Sequence, residues 1–199
     1  MERIEKLREE VKRLYEEKRF SRADWADWLY EGHVVLVGNE ARKIAHEYGG
    51  SPELAEAAGL LHDVADAVMK REDPNHEQES FRIARELLQK TGFSDDEIAI
   101  IVDDAIAKHS CHGDVRPASL EGKAMAAADG VVHMTSNFYE FAENGNLGHL
   151  SSQKVAKWAL PKIDRDFTNK IAYEDLRERV RPEYERLKAH FTEVATAPS

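Results

Sequence analysis

Apolar residues recur at helical spacing from one end of this chain to the other, and no convincing run alternates as a strand would. Ile4, Leu7, Val11 and Leu14 lie three, four and three residues apart, which makes one apolar face of a helix over residues 2–18. Ser21 offers an N-cap for a helix that starts at Arg22 and runs to Tyr48, weakened by Gly32 and Gly38. Gly49 and Gly50 stop it, and Ser51, Pro52 and Glu53 supply the cap, first-position proline and acid of a helix over 52–69. Asp73, Pro74 and Asn75 form a loop and cap before a helix over 76–90, with Phe81, Ala84, Leu87 and Leu88 inward and Gly92 at its end. Ser94 and Glu97 form a capping box that opens 95–109. A loop around 113–117 leads to a helix over 119–136. Beyond it, Gly145 and Gly148 mark a loop, Pro161 breaks a helix, and 173–192 is helical with an interruption near Pro182. The best strand candidate, 34–37, is only four residues long. The expected class is all-α, in one domain spanning 1–199.

Charge and cysteine usage narrow the function. The 199 residues carry 38 acids against 28 bases, a net charge of −10, which argues against the basic stripe of a nucleic-acid-polymer binder. A small nucleotide is not excluded by that balance. Residues 1–19 are dense in charge with no apolar leader, and the longest apolar runs are far too short to span a bilayer, so a cytoplasmic address is expected. The single Cys111 rules out an intramolecular disulfide and any multi-cysteine zinc site, while the chain has nine histidines. A metal here must be held by histidine and carboxylate. Cys111 has no sequence neighbour that would make it a nucleophile.

The chemistry-bearing residues stand out by context. His62 and Asp63 sit inside the apolar, small-residue stretch AAGLLHDV. Burial is expected for both, and a buried carboxylate without a partner costs several kcal/mol. A cation coordinated by both groups removes that cost. On a continuous helix the two side chains diverge by about 100°, so one ion fits in the angle between them. Asp129 has the same setting, after Ala126, Ala127 and Ala128 and before Gly130, Val131 and Val132. His133 falls one turn later on the same face, where it can orient the Asp129 carboxylate. His46, His149 and His190 have no such context and are expected at the surface.

The ordered set His33, His62, Asp63, Asp129 resembles the HD superfamily of metal-dependent phosphohydrolases. The stretches AGLLHDVADA, PNHEQESFRIARELLQKTGF, IIVDDAIAKHS and LEGKAMAAADGVVHM resemble its successive helices, over a core of about 25–135. The resemblance implies a helical bundle with His33, His62, Asp63 and Asp129 as ligands of a divalent ion (Mn, Fe, Co, Ni or Zn). It also implies a role for His76 and His109, which in such proteins either bind a second metal or receive phosphate; one metal is favoured. Asp66, on the face expected to carry His62 and Asp63, becomes the candidate base for the attacking water. Lys108, Arg116 and Lys123 flank ligand positions and are candidates for phosphate oxygens. The implied activity is hydrolysis of a phosphate ester or phosphoanhydride in a small substrate, most simply a nucleotide. The alternatives are a di-iron oxygenase using all six ligands, or a non-catalytic nucleotide-binding protein. Residues 137–199 lie outside the core, free to cover the site, to add helices or to form a homodimer contact.

Overall fold

In the computed structural model, residues 2–146 and 150–197 are described; Gly148 and His149 lie outside them. Helix α1 (Arg3–Glu16) is followed by the short α2 (Ala26–Leu29), which runs through a π-type turn (Tyr30–Val34) directly into α3 (Val35–Tyr48). Next come α4 (Pro52–Leu61), a 3-10 turn (Val64–Ala67), α5 (His76–Thr91), and α6 (Asp95–Ile98), which widens into a π-type segment (Ala99–Ile106). Helix α7 (Leu120–Thr135), α8 (Phe138–Phe141) with a widened turn (Ala142–Asn146), α9 (Ser152–Arg165) with a π-type turn (Asp166–Lys170), and α10 (Glu174–Thr196) complete the chain. The all-α class holds, with no strand among the described residues.

Four helix starts are capped by serine side chains, while Asn75, expected to cap the helix over 76–90, precedes α5 without a side-chain cap bond. The Ser51, Ser119 and Ser151 hydroxyls accept from the backbone N–H three residues on, and both halves of the Ser94–Glu97 capping box form. Gly49 and Gly92 end α3 and α5 in the left-handed conformation, φ 84° and 94°.

Several boundaries differ from expectation. Segment 34–37 is helical, not a strand. Ser21 caps nothing; its hydroxyl donates to the Val68 carbonyl at 2.6 Å, and α2 begins only at Ala26. The helix expected over 52–69 stops at Leu61. Pro161 and Pro182 lie inside α9 and α10 without ending them. Each proline removes one backbone donor, but Val155, Ala156, Ala159 and Ile163 bury one face of α9, and Leu176, Val180, Leu187 and Phe191 one face of α10. Tertiary burial on both sides of each proline outweighs the local loss.

Helix α7 is the axis of the bundle, with every residue from 124 to 134 buried. It packs extensively on α3 and α4, and α9 and α10 pair with each other beside it. Apolar side chains from α1 through α10, including Leu7, Ile44, Leu60, Met125, Ile163 and Phe191, join in one core cluster. The α3–α4 crossing is close enough that a Cβ on Gly59 would lie 2.8 Å from the Gly38 Cα. Two glycines that weaken their helices individually therefore permit the approach that brings His33 and His62 together. Replacing Gly59 with alanine is expected to cost about 1–3 kcal/mol through overpacking. In a chain of this size that is a fall of roughly 2–4 °C in Tm per kcal/mol, measurable by thermal circular dichroism; an unchanged Tm would show that the crossing is loose.

Candidate metal centre

His33 sits on the widened turn between α2 and α3, a local geometry that re-aims a side chain relative to a regular helix. His62 is the C-cap that follows Leu61 at the end of α4, and at Asp63 the backbone leaves the helix (φ −115°, ψ 24°). The Tyr15 hydroxyl donates to the released Asp63 carbonyl at 2.9 Å, and the Ser80 hydroxyl accepts from Ala65 N–H at 3.3 Å. This break corrects the picture of two neighbours diverging on a continuous helix: the pair straddles a helix end. Asp129 comes from the middle of α7.

These elements converge. One ligand atom from each of His33, His62 and Asp129 falls within 4.8 Å of the others, and all three residues are buried. The Nε2 atoms of His33 and His62 are 3.1 Å apart, and Asp129 Oδ1 lies 3.2 Å from the first and 3.8 Å from the second. Asp63 Oδ2 is 3.4 Å from His62 Nε2.

The donor set fits a divalent cation on the structure's own evidence. His62 Nδ1 lies 2.8 Å from the Gly59 carbonyl, which can only accept, so Nδ1 carries the proton and Nε2 turns a lone pair inward. Asp129 Oδ1 is buried with no hydrogen-bond partner. A lone pair and an orphaned carboxylate oxygen facing each other call for a cation between them. His33, His62 and Asp129 are the residues brought together here that could hold it; Asp63, expected as a fourth, lies 3.4 Å from His62 Nε2 but has both oxygens engaged by Arg71. Neutral imidazole and carboxylate suit Mn, Fe, Co, Ni or Zn alike.

The surroundings tune these groups. Burial would raise Asp129, but His133, Lys170, His33 and His62 hold it well below the usual carboxylate range. Lys170, itself buried, pairs with Asp129 Oδ2 and lies 3.2 Å from Asp166 Oδ1. His133 Nε2 is 3.3 Å from Asp129 Oδ1, and its Nδ1 is 2.9 Å from Asp166 Oδ2 and 3.1 Å from Lys162 Nζ. It stacks on the His33 ring at 4.8 Å, as its place on the Asp129 face suggested. Burial would likewise raise Asp63, but Arg71 grips both its oxygens at 2.8 Å and, with His62 and His33, keeps it well below normal.

Other expected site residues land elsewhere. Asp66 is fully buried beneath Arg71, pairs with it, and has its Oδ1 3.0 Å from His76 Nε2. Neither Asp66 nor His76 lines the cavity at the site, because the helix that was to carry Asp66 alongside His62 ends before it. Among the described residues His33, His62 and Asp129 come within 4.8 Å of one another, while His76 faces Asp66. Lys108 is engaged by Asp104 at 2.7 Å, and Asp104 also accepts from Ala118 and Ser119 to fasten the preceding loop. Arg116 braces that loop by donating to the Cys111, Gly113 and Val115 carbonyls. Lys123 does not line the cavity either. His109 does reach it: its Nδ1 donates to the Ile106 carbonyl at 2.7 Å, leaving the Nε2 lone pair free. His190 is exposed and bonds Glu143 at 2.8 Å, and His46 is exposed.

The cavity is about 600 Å³, within the range typical of small-ligand sites. Asp63, Asp129, His109 and His133 line its polar floor. Trp25, Trp28, Phe138, Phe141 and Trp158 line an aromatic wall, and Arg71, Lys162, Arg165 and Lys170 contribute cations. Sequence reasoning missed all four cations. The available signal was the four-residue spacing of Lys162, Asp166 and Lys170, which puts them on one helical face.

The family model for the HD domain matches residues 30–134, more than half of the chain, and the chain belongs to that family of metal-dependent phosphohydrolases. Among curated proteins it is similar to ribonuclease Y of Alkaliphilus metalliredigens, 35% identical over 99 residues. It is similarly related to ribonuclease Y of Streptococcus agalactiae, 35% identical over 97 residues, and of Staphylococcus epidermidis, 34% over 97. These matches cover about half of this chain but only 16–18% of those proteins. No solved structure matches. Among the described residues no helix is long and apolar enough to cross a membrane.

Burial pushes His109 down to about 4 and His133 to about 3. Unfolded histidine titrates near 6.5, so between that pH and about 4 the unfolded chain binds protons that the folded chain does not. Stability is therefore expected to fall as pH drops from about 7 toward 4. Below that, protonation of Asp63 and Asp129 removes more. Thermal melts over this range should show His133→Gln flattening the upper part of the dependence; parallel curves would show that His133 titrates normally in the folded state.

Proposed function

We propose that this protein hydrolyses a phosphate ester or phosphoanhydride of a small, nucleotide-like substrate. The observation that carries the reading is the orphaned Asp129 oxygen, which faces the imidazole nitrogens of His33 and His62 beside a cavity of small-ligand size. In this reading His33, His62, Asp63 and Asp129 hold one divalent ion. Such an ion lowers the pKa of a bound water and polarises a phosphoryl oxygen. Lys170 fixes the second Asp129 oxygen, so that the first stays aimed inward. His109, neutral through the physiological range, offers Nε2 as an acceptor to a water or a cation and has no proton there for a phosphate oxygen. Asp66 becomes a positioning residue: it holds Arg71 and His76 and does not itself meet the water.

The relatives are named ribonucleases, so RNA is the competing substrate class. A net charge of −10 and a cavity of about 600 Å³ favour a small molecule over a polyanion. A cytoplasmic setting and a metal-supplied positive charge are consistent with this substrate.

Phosphate release from nucleoside mono-, di- and triphosphates and pyrophosphate, assayed with each of the five metals, tests the proposal. Turnover of one of these compounds is expected. His62→Ala should abolish it, while Asp66→Asn should slow it, roughly 10- to 100-fold, with metal content intact. Cleavage of an RNA oligonucleotide without release from any small phosphate would overturn the small-substrate reading, and full activity of His62→Ala would remove the site.

A further inference from the structure

The cations around the cavity are not equivalent. Arg71 is committed to Asp63 and Asp66, Lys170 to Asp129 and Asp166, and Lys162 lies 3.2 Å from Asp166 Oδ2. Arg165 differs. It lines the same cavity but has no ion pair among the described residues, and its Nε is buried without a hydrogen-bond partner. A buried donor left unpaired is destabilising until an acceptor arrives. The guanidinium is thus set for an anion that the protein does not supply.

Its surroundings indicate what carries that anion. Trp158, Lys162 and Arg165 follow one another at spacings of four and three on α9, so they share one face. Trp158 stands 6.3 Å from Phe138, which in turn stands 6.2 Å from Trp28, ring centre to ring centre. Trp28 stacks on Phe141 at 4.0 Å. All three tryptophans of the chain line this one cavity. Aromatic walls of this kind receive planar rings by stacking. Arg165, Trp158 and Phe138 all lie beyond the 30–134 stretch matched to the HD family.

We infer that Arg165 is the specificity-determining anion anchor of this cavity, and that its ligand is a planar aromatic ring bearing a phosphate. This rests on the phosphohydrolase reading for its place in catalysis but not for binding. Arginine presents a fork of donors that matches phosphate oxygens, so lysine is not expected to replace it fully.

The three tryptophans make intrinsic fluorescence a direct reporter of the cavity. The probe is the phosphonate analogue of adenosine 5′-monophosphate, whose P–C bond does not hydrolyse, compared with adenosine and with ribose 5-phosphate. The wild-type protein should show saturable quenching by the phosphonate, with adenosine and ribose 5-phosphate each binding at least about tenfold more weakly. Arg165→Ala should weaken phosphonate binding toward the adenosine value, Arg165→Lys should recover part of it, and both should keep wild-type metal content and melting temperature. If Arg165→Ala binds the phosphonate as tightly as wild type, Arg165 is not the anchor. If wild type fails to bind the phosphonate, or binds adenosine equally well, the ring-plus-phosphate ligand is wrong. Binding that depends on Arg165, with no phosphate released from any nucleotide, would overturn the hydrolase reading and leave this inference standing. Turnover of nucleoside monophosphates with an unchanged KM in Arg165→Ala would do the reverse.

Discussion

A carboxylate buried on an apolar helix sets the conditions for the rest of this molecule. Asp129 is 2% exposed in the middle of α7, where every residue from 124 to 134 is buried. Left alone it would cost several kcal/mol. Lys170 answers one oxygen, and the other faces the imidazoles of His33, His62 and His133. Much of the architecture serves that arrangement. Gly38 and Gly59 let α3 and α4 approach, the widened turn at 30–34 aims His33, and the helix end after Leu61 frees His62 and Asp63 to turn inward. Gly130, next in sequence to Asp129, leaves room for the Asp166 carbonyl, which a Cβ would meet at 2.7 Å. That contact seats the turn that delivers Lys170.

The site is therefore built by two parts of the chain. The stretch matched to the HD family supplies His33, His62, Asp63 and Asp129. The following residues, of which three uses were conceivable, pack on α7 and complete the cavity: α8 brings Phe138 and Phe141, α9 brings Trp158, Lys162 and Arg165, and the turn after it brings Asp166 and Lys170. A polar cluster from one part of the chain and a wall from another let the two vary independently.

The helical class, the Ser51 and Ser94 caps and the burial of His62, Asp63 and Asp129 were legible because local signals agreed with the global packing, whereas His33 joined them only through the family resemblance. Carboxylates in alanine-rich helices announce themselves. The helix stop after Leu61 was not legible, since VADA has no local breaker; the stop is made by Tyr15 and Ser80, distant in sequence. Asp66 was misplaced by the same cause, as its expected face assumed an unbroken helix. The prolines misled in the opposite direction, because burial along α9 and α10 overrides one lost hydrogen bond each. Lys108 and Arg116 are near the ligand positions in sequence, yet Asp104 engages the first and loop carbonyls engage the second. The cations that reach the cavity come from residues 71 and 162–170, where only the spacing of Lys162, Asp166 and Lys170 hinted at a shared face.

Metal stoichiometry bears most directly on whether Asp129 and its imidazole neighbours form a cation site. Elemental analysis of the protein after reconstitution and desalting should find about one divalent ion per chain, and Asp129→Ala should retain none. A wild-type chain that holds no divalent ion, or an Asp129→Ala variant that keeps it, would contradict the assignment.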